Sequence, residues 1–168
     1  KEEGGSDGPT GLVSVFVFHF LGYLADAQGA NYKLMLQNAK CLSADVNAAF
    51  DPTFPDVLEK RNASYLNRGV VVTKYTGSRG KYGTNDASAE MMAYVTDILD
   101  RADVLWQTGE LGKVDFGGGG TVAQYVANRD IDVVDIGVPV LSMHSPFELV
   151  SKLDVYMTYR AFSAFANA

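Results

Sequence analysis

The chain has 168 residues, 47% of them hydrophobic, which is enough for one globular domain with a real core and excludes a disordered or fibrous protein. A formal net charge of −6 argues against a phosphate backbone as partner, so no nucleic acid is expected. The single cysteine, Cys41, excludes an internal disulfide and accords with a reducing, cytoplasmic setting.

The chain opens with "KEEGGSDGPTG", two adjacent glutamates running into a turn-rich loop. An apolar stretch over 11–27 follows, interrupted by Ser14 and His19 and too short for a membrane span; a buried helix is expected there, with His19 structural. "NYKLMLQNAK" is a second helical segment, and "CLSADVNAAF" reads as a short buried strand carrying Asp45. Residues 51–69 hold two prolines and read as loop, with an Asn62-Ala63-Ser64 sequon inside. "VVVTKY" is a strand by its β-branched run, and "TGSRGKYGTNDA" a basic, glycine-rich loop. A helix over 87–103 should take its N-cap from Thr84, Asn85 or Asp86. "VLWQTG" is a strand, "ELGKVDFGGGG" an irregular loop, and "TVAQYVANR" a helix. "IDVVDIGVPVL" is a buried strand region with a proline break. In "HSPFELVSKLDVYMTYRAFSAF", Ser145, Pro146 and Glu148 predict a capping box that starts a helix one residue after His144. Strands alternating with helices imply a parallel or mixed sheet covered on both faces, with ligands at the strand ends.

Four places carry possible chemistry, and each has two readings. Glu2 and Glu3 could converge on one cavity through the glycine turn, one binding a metal while its neighbour handles a proton, or be solvated acids. Asp45 sits among apolar residues at a strand end, as a metal-bound carboxylate or as a turn or N-cap aspartate. His144 follows an apolar run, as a zinc ligand or as an imidazole satisfied by a backbone carbonyl. Gly117 to Gly120 precede a helix, so Gly118, Gly119 and Gly120 either bring bare backbone amides close to a substrate or form a flexible loop. It is not a Walker P-loop, because Val114 stands where a magnesium-binding hydroxyl is required. Lys74, Arg79 and Lys81 in the basic loop could receive a substrate carboxylate, or be solvated.

The stretches "KEEGGSDG", "SADVNAAFDP", "VTKYTGSRGK", "DASAE", "GELGKVDFGGGGT" and "GVPVLSMHSPFE" run nearly end to end. Together they resemble the carboxy-terminal part of the dinuclear zinc aminopeptidases of the aminopeptidase I and aspartyl aminopeptidase family. The resemblance implies a three-layer α/β/α sandwich with a mixed, mostly parallel sheet, of which residues 1–168 form part. It implies two zinc ions held by five side chains. Three of these match Glu3 and His144 on one ion and Asp45 on the other; the family's remaining histidine and bridging aspartate are expected before Lys1, with the dimerisation domain. Glu2 matches the general base. The implied activity is removal of single residues from peptide N-termini, in a homo-oligomer that is commonly a dodecamer. Gly4 departs from the family's usual apolar residue, and Ala48 stands where the aspartyl-specific branch has a histidine, which points to the aminopeptidase I branch. The second reading is a non-catalytic fragment or degenerate relative, serving in assembly or as a peptide-binding module.

Overall fold

The computed structural model describes residues 7–79 and 82–168. Helix α1 spans Phe16–Ala27 and α2 Tyr32–Gln37, the latter capped by the Asn31 side chain. Strands β1 (Lys40–Ala48), β2 (Val70–Thr73), β5 (Trp106–Thr108), β6 (Asp132–Leu141) and β7 (Leu149–Val150) form one mixed sheet in the order β1-β6-β2-β5, with β7 on β6. β1 pairs β6 and β2 pairs β5 in parallel; β2 and β7 both run antiparallel to β6. Helices α3 (Ala89–Arg101) and α5 (Lys152–Ala166) cover one face, and α1 with the short α4 (Ala123–Ala127) the other. The expected layering of helices on both faces of a mixed sheet is what the chain adopts.

The two faces follow from strand alternation. Val134 and Ile136 of β6 join Val70 and Val72 of β2 against Met91, Val95 and Leu99 of α3. Those helical positions lie four residues apart, so they form a single stripe. Each large aliphatic side chain buried there contributes about 1.5–3 kcal/mol. Val133 points the other way, onto Phe18 of α1 and Ala123 and Val126 of α4. A carboxylate locks the layers near β2. Asp154, in the first turn of α5 and fully buried, accepts the backbone N–H groups of Asn67 (2.6 Å) and Gly69 (2.7 Å).

Several local expectations change. The glycine-rich segment after β2 is not a loop but a hairpin, β3 (Tyr75–Ser78) and β4 (Tyr82–Asp86). Asp86 is paired with Tyr75 and its carboxylate bonds Lys74, so the next helix is capped instead by Ser88, which accepts from Met91 N. β6 runs unbroken through Pro139. That residue lies beyond Gly137, the last to pair with β2, while β1 stays paired alongside through Val140. The segment after His144 does not enter a helix either. Glu148 Oε1 accepts His144 N (2.6 Å) and Ser145 closes a local turn with Phe147, but β7 then keeps the chain extended and α5 starts from Ser151.

Candidate metal centre and cleft

The sheet face turned toward α1 and α4 changes character along its strands. Cys41 of β1 and Val133 of β6 belong to the apolar cluster under those helices. Two residues further on, the same face carries Ser43 and Asp135, opposite each other in the ladder, and then Asp45 and Asn47. Thr73 of β2 pairs with Asp135 from the other side. The face is apolar near the strand starts and polar toward the carboxyl ends of β1 and β6. A strand hairpin and a loop, not helices, cover the polar part.

Asp45 is exposed, contrary to the burial expected of it, and its Oδ1 accepts Val46 N at 2.7 Å. Gly137 lies beside it in the ladder, and a Cβ there would overlap the Asp45 carbonyl oxygen. Glycine is required for β1 to lie this close, so Gly137 sets where Asp45 stands. Asn47 steadies the strand end: its Nδ2 donates to Thr73 Oγ1 (2.8 Å) and its Oδ1 accepts from Ser64 Oγ (2.9 Å). His144 follows the end of β6 in a tight turn, with Ser142 and His144 both in the left-handed region (φ 59° and 67°). β1 and β6 are parallel, so Asp45 and His144 come to the same end of the sheet. Glu2 and Glu3 lie outside the described residues, as does Lys81 of the basic loop. A carboxylate oxygen and an imidazole nitrogen are both zinc donors, so Asp45 and His144 fit that ion in kind. Among the described residues no set of three His, Cys, Asp or Glu side chains is grouped to hold a metal, so the two do not complete a site by themselves.

Two segments roof this end. The glycine loop presses backbone to backbone on the hairpin: a Cβ on Gly118 would strike the Gly77 carbonyl oxygen, and one on Gly120 would lie 2.9 Å from that of Gly83. Arg79 N also donates to Gly117 O at 2.7 Å. The absence of side chains there is used for close packing, and α4, only five residues long, sums few peptide dipoles at its N-terminus. Tyr75, Thr76 and Gly77 of the hairpin and Glu110, Leu111 and Lys113 of the loop line a cleft between the two. A smaller cavity shares Thr76 and Leu111 with it and continues to Asp45, Thr121 and Asp135. Lys74 lies beside a third hollow with Arg61, Asn62 and Glu110, its ammonium paired with Asp86.

Asp135 was missed in the sequence. It is 4% exposed, and Thr76 Oγ1 stands 3.4 Å from its Oδ2; among the described residues Oδ1 has no hydrogen-bond partner, and neither has Ser43 Oγ. Burial pushes its carboxyl above the ordinary carboxylate range, against the hydroxyls of Ser43, Thr121 and Thr76, which pull it down. The signal was present: in "VVDIGV" a single charge interrupts a run that must be buried on both faces.

Residues 1–166 match the family described as Aminopeptidase I zinc metalloprotease, M18. The chain belongs to the M18 family. A probable M18 family aminopeptidase 1 of Clostridium acetobutylicum is 49% identical over 171 residues, covering 99% of this chain and 37% of that protein. Its Thermotoga maritima counterpart is 47% identical, covering 96% and 37%. Crystal structures of aminopeptidases from the same two organisms superpose with a TM-score of 0.91 each, at 48% and 47% identity, covering 100% and 98% of this chain and 37% and 38% of theirs. The mApe1 dodecamer of S. cerevisiae is 22% identical, with a TM-score of 0.78 over 99% of this chain and 36% of its own, a likeness of fold. The M18 chain described here therefore spans a little over a third of the length of its relatives.

Proposed function

We propose that the full-length protein is a metal-dependent aminopeptidase and that residues 1–168 are the carboxy-terminal part of its catalytic domain. The observation that carries this reading is the arrival of Asp45 and His144 at one end of adjacent parallel strands, in a chain matched by the family from residue 1 to 166. Glu3 and His144 would hold one zinc ion and Asp45 the second, with the remaining donors from sequence before Lys1. Zinc, when bound, supplies a Lewis acid and lowers the pKa of water. Glu2 takes the proton from the attacking water and returns it to the leaving amine. Gly77 and Gly118 hold the roof together backbone to backbone, and Leu111 lines the cavity at Asp45. Peptides with a free N-terminus are the substrates. Gly118, Gly119 and Gly120 offer backbone to the bound chain, and Lys74 can turn from Asp86 to a substrate carboxylate. The assembly is a homo-oligomer, of dodecamer type, in the cytoplasm. No helix among the described residues is long and apolar enough to cross a membrane.

The test is made on the full-length protein, measuring zinc per subunit and turnover of aminoacyl anilides, with Asp45→Asn and His144→Gln as variants. Loss of zinc and turnover together supports the assignment. Full zinc content and full turnover in either variant overturns it. The 168-residue chain alone is expected to be inactive, because its donors are too few for either ion.

A further inference from the structure

We propose that Asp135 is a positioning residue that anchors the roof of the cleft, acting through Thr76 of the hairpin and Thr121 at the exit of the glycine loop. The proposal rests on the aminopeptidase reading for what the cleft binds, but not for the anchoring itself.

Asp135 stands at the centre of the sheet, between Ser43 of β1 and Thr73 of β2. Its carboxylate is directed away from the α3 and α5 core, toward the roofed side. Thr76 Oγ1 is 3.4 Å from Asp135 Oδ2 and 3.4 Å from Thr121 Oγ1, so the buried acid meets the hairpin hydroxyl directly and reaches the glycine-loop hydroxyl through it. Thr121 Oγ1 in turn accepts Ala123 N at 3.4 Å, which joins this cluster to the first residue of α4. The arrangement is costly. Among the described residues no lysine or arginine contributes to the electrostatics of the carboxylate and its Oδ1 has no hydrogen-bond partner, while burial disfavours its charge. A valine or threonine would pack this strand at lower cost. What the acid adds is a fixed acceptor for the Thr76 hydroxyl, which in turn meets that of Thr121, on segments that otherwise meet through bare glycine backbone, Gly77 with Gly118 and Gly83 with Gly120. Those segments line both the cavity at Asp45 and the longer cleft beyond Thr76 and Leu111. On the aminopeptidase reading, a peptide whose scissile end lies at Asp45 would send its first side chain into that cleft. Asp135 therefore governs how side chains are accommodated, while the donors themselves stay in place.

The test uses the full-length protein with Asp135→Ala, Asp135→Asn, Thr121→Val and the Asp135→Ala/Thr121→Val double variant. Zinc content, kcat and KM are read over anilides of small and large residues. For Asp135→Ala, KM should rise about tenfold for large side chains and less for small ones, with zinc unchanged and kcat altered less than KM. Asp135→Asn, which keeps an acceptor, should recover much of the loss. Thr121→Val should show the same side-chain dependence, and the double variant should be no worse than the poorer single one. Amide exchange gives a readout independent of turnover: residues 76–78 and 117–121 should exchange about tenfold faster or more in Asp135→Ala, with β1 unaffected. Unchanged exchange in the roof overturns the anchoring. A uniform fall in active enzyme with KM unchanged, zinc loss, or effects that multiply in the double variant overturns the positioning role. Faster roof exchange in a protein whose wild type holds zinc yet turns over nothing would instead sustain the anchor and sink the aminopeptidase reading.

Discussion

Removing the Asp154 carboxylate should loosen the joint between α5 and β2 by an amount the structure sets. The side chain is fully buried and receives two short backbone N–H bonds, from Asn67 at 2.6 Å and Gly69 at 2.7 Å. Asn67 has φ 64° and Gly69 φ 89°, so this loop holds two left-handed residues that the carboxylate keeps in place. A hydrogen bond to a charged group is worth about 1.5–3 kcal/mol, so Asp154→Ala should cost about 3–6 kcal/mol. Asp154→Asn keeps one acceptor oxygen but turns an NH₂ group toward the second amide. It should lose at least half as much. Denaturant midpoints of the full-length protein and its variants measure the loss, and amide exchange at Asn67 and Gly69 localises it. A change below about 1 kcal/mol in Asp154→Ala, with exchange at both amides unaltered, would show that the loop is held by something else.

The two glutamates should separate by signature: Glu2→Gln keeps zinc but cuts turnover by about 10²–10⁴, whereas Glu3→Gln loses zinc along with activity. Equal zinc loss in both variants would mean the roles are misassigned. Gly137→Ala should displace β1 from β6 at Asp45, lowering both thermal stability and zinc occupancy; a variant of unchanged stability would contradict the close approach seen there. Lys74→Ala should reduce the rate ratio of acidic to neutral anilides if Lys74 receives a substrate carboxylate; an unchanged ratio would leave it as the partner of Asp86 alone. The Cys41 thiol is pushed up first by burial and then by the charge of Asp135, so less thiolate is present at a given pH. Alkylation near pH 8 should therefore be slower than for an exposed cysteine, and a rate equal to that of a free thiol would refute this.

Local pattern alone determined much of this chain. The β-branched runs of β2 and β6 and the apolar stripe on α3 mark elements whose burial depends on nothing but side-chain spacing. The long motifs around Asp45, the glycines and His144 carry the family resemblance, which the match over residues 1–166 bears out. Tertiary pairing decided the rest. Ser145, Pro146 and Glu148 satisfy a helix start by local rules, yet the pairing of Leu149 and Val150 with β6 holds the chain extended for several residues more. The hairpin of Tyr75–Ser78 and Tyr82–Asp86 was hidden among glycines, because those glycines serve close contact with a second glycine loop about 40 residues further along. Asp45 looked buried from its apolar neighbours, but strand alternation puts it at the polar end of its face, beyond the part that α1 and α4 cover. Asp135 looked like one acid in a buried strand until the ladder set it beside Ser43 and Thr73 and the fold brought Thr76 and Thr121 over it. Propensity and periodicity act over a few residues; which polar groups share one buried space depends on strand register between segments nearly 100 residues apart, and only the folded chain sets that.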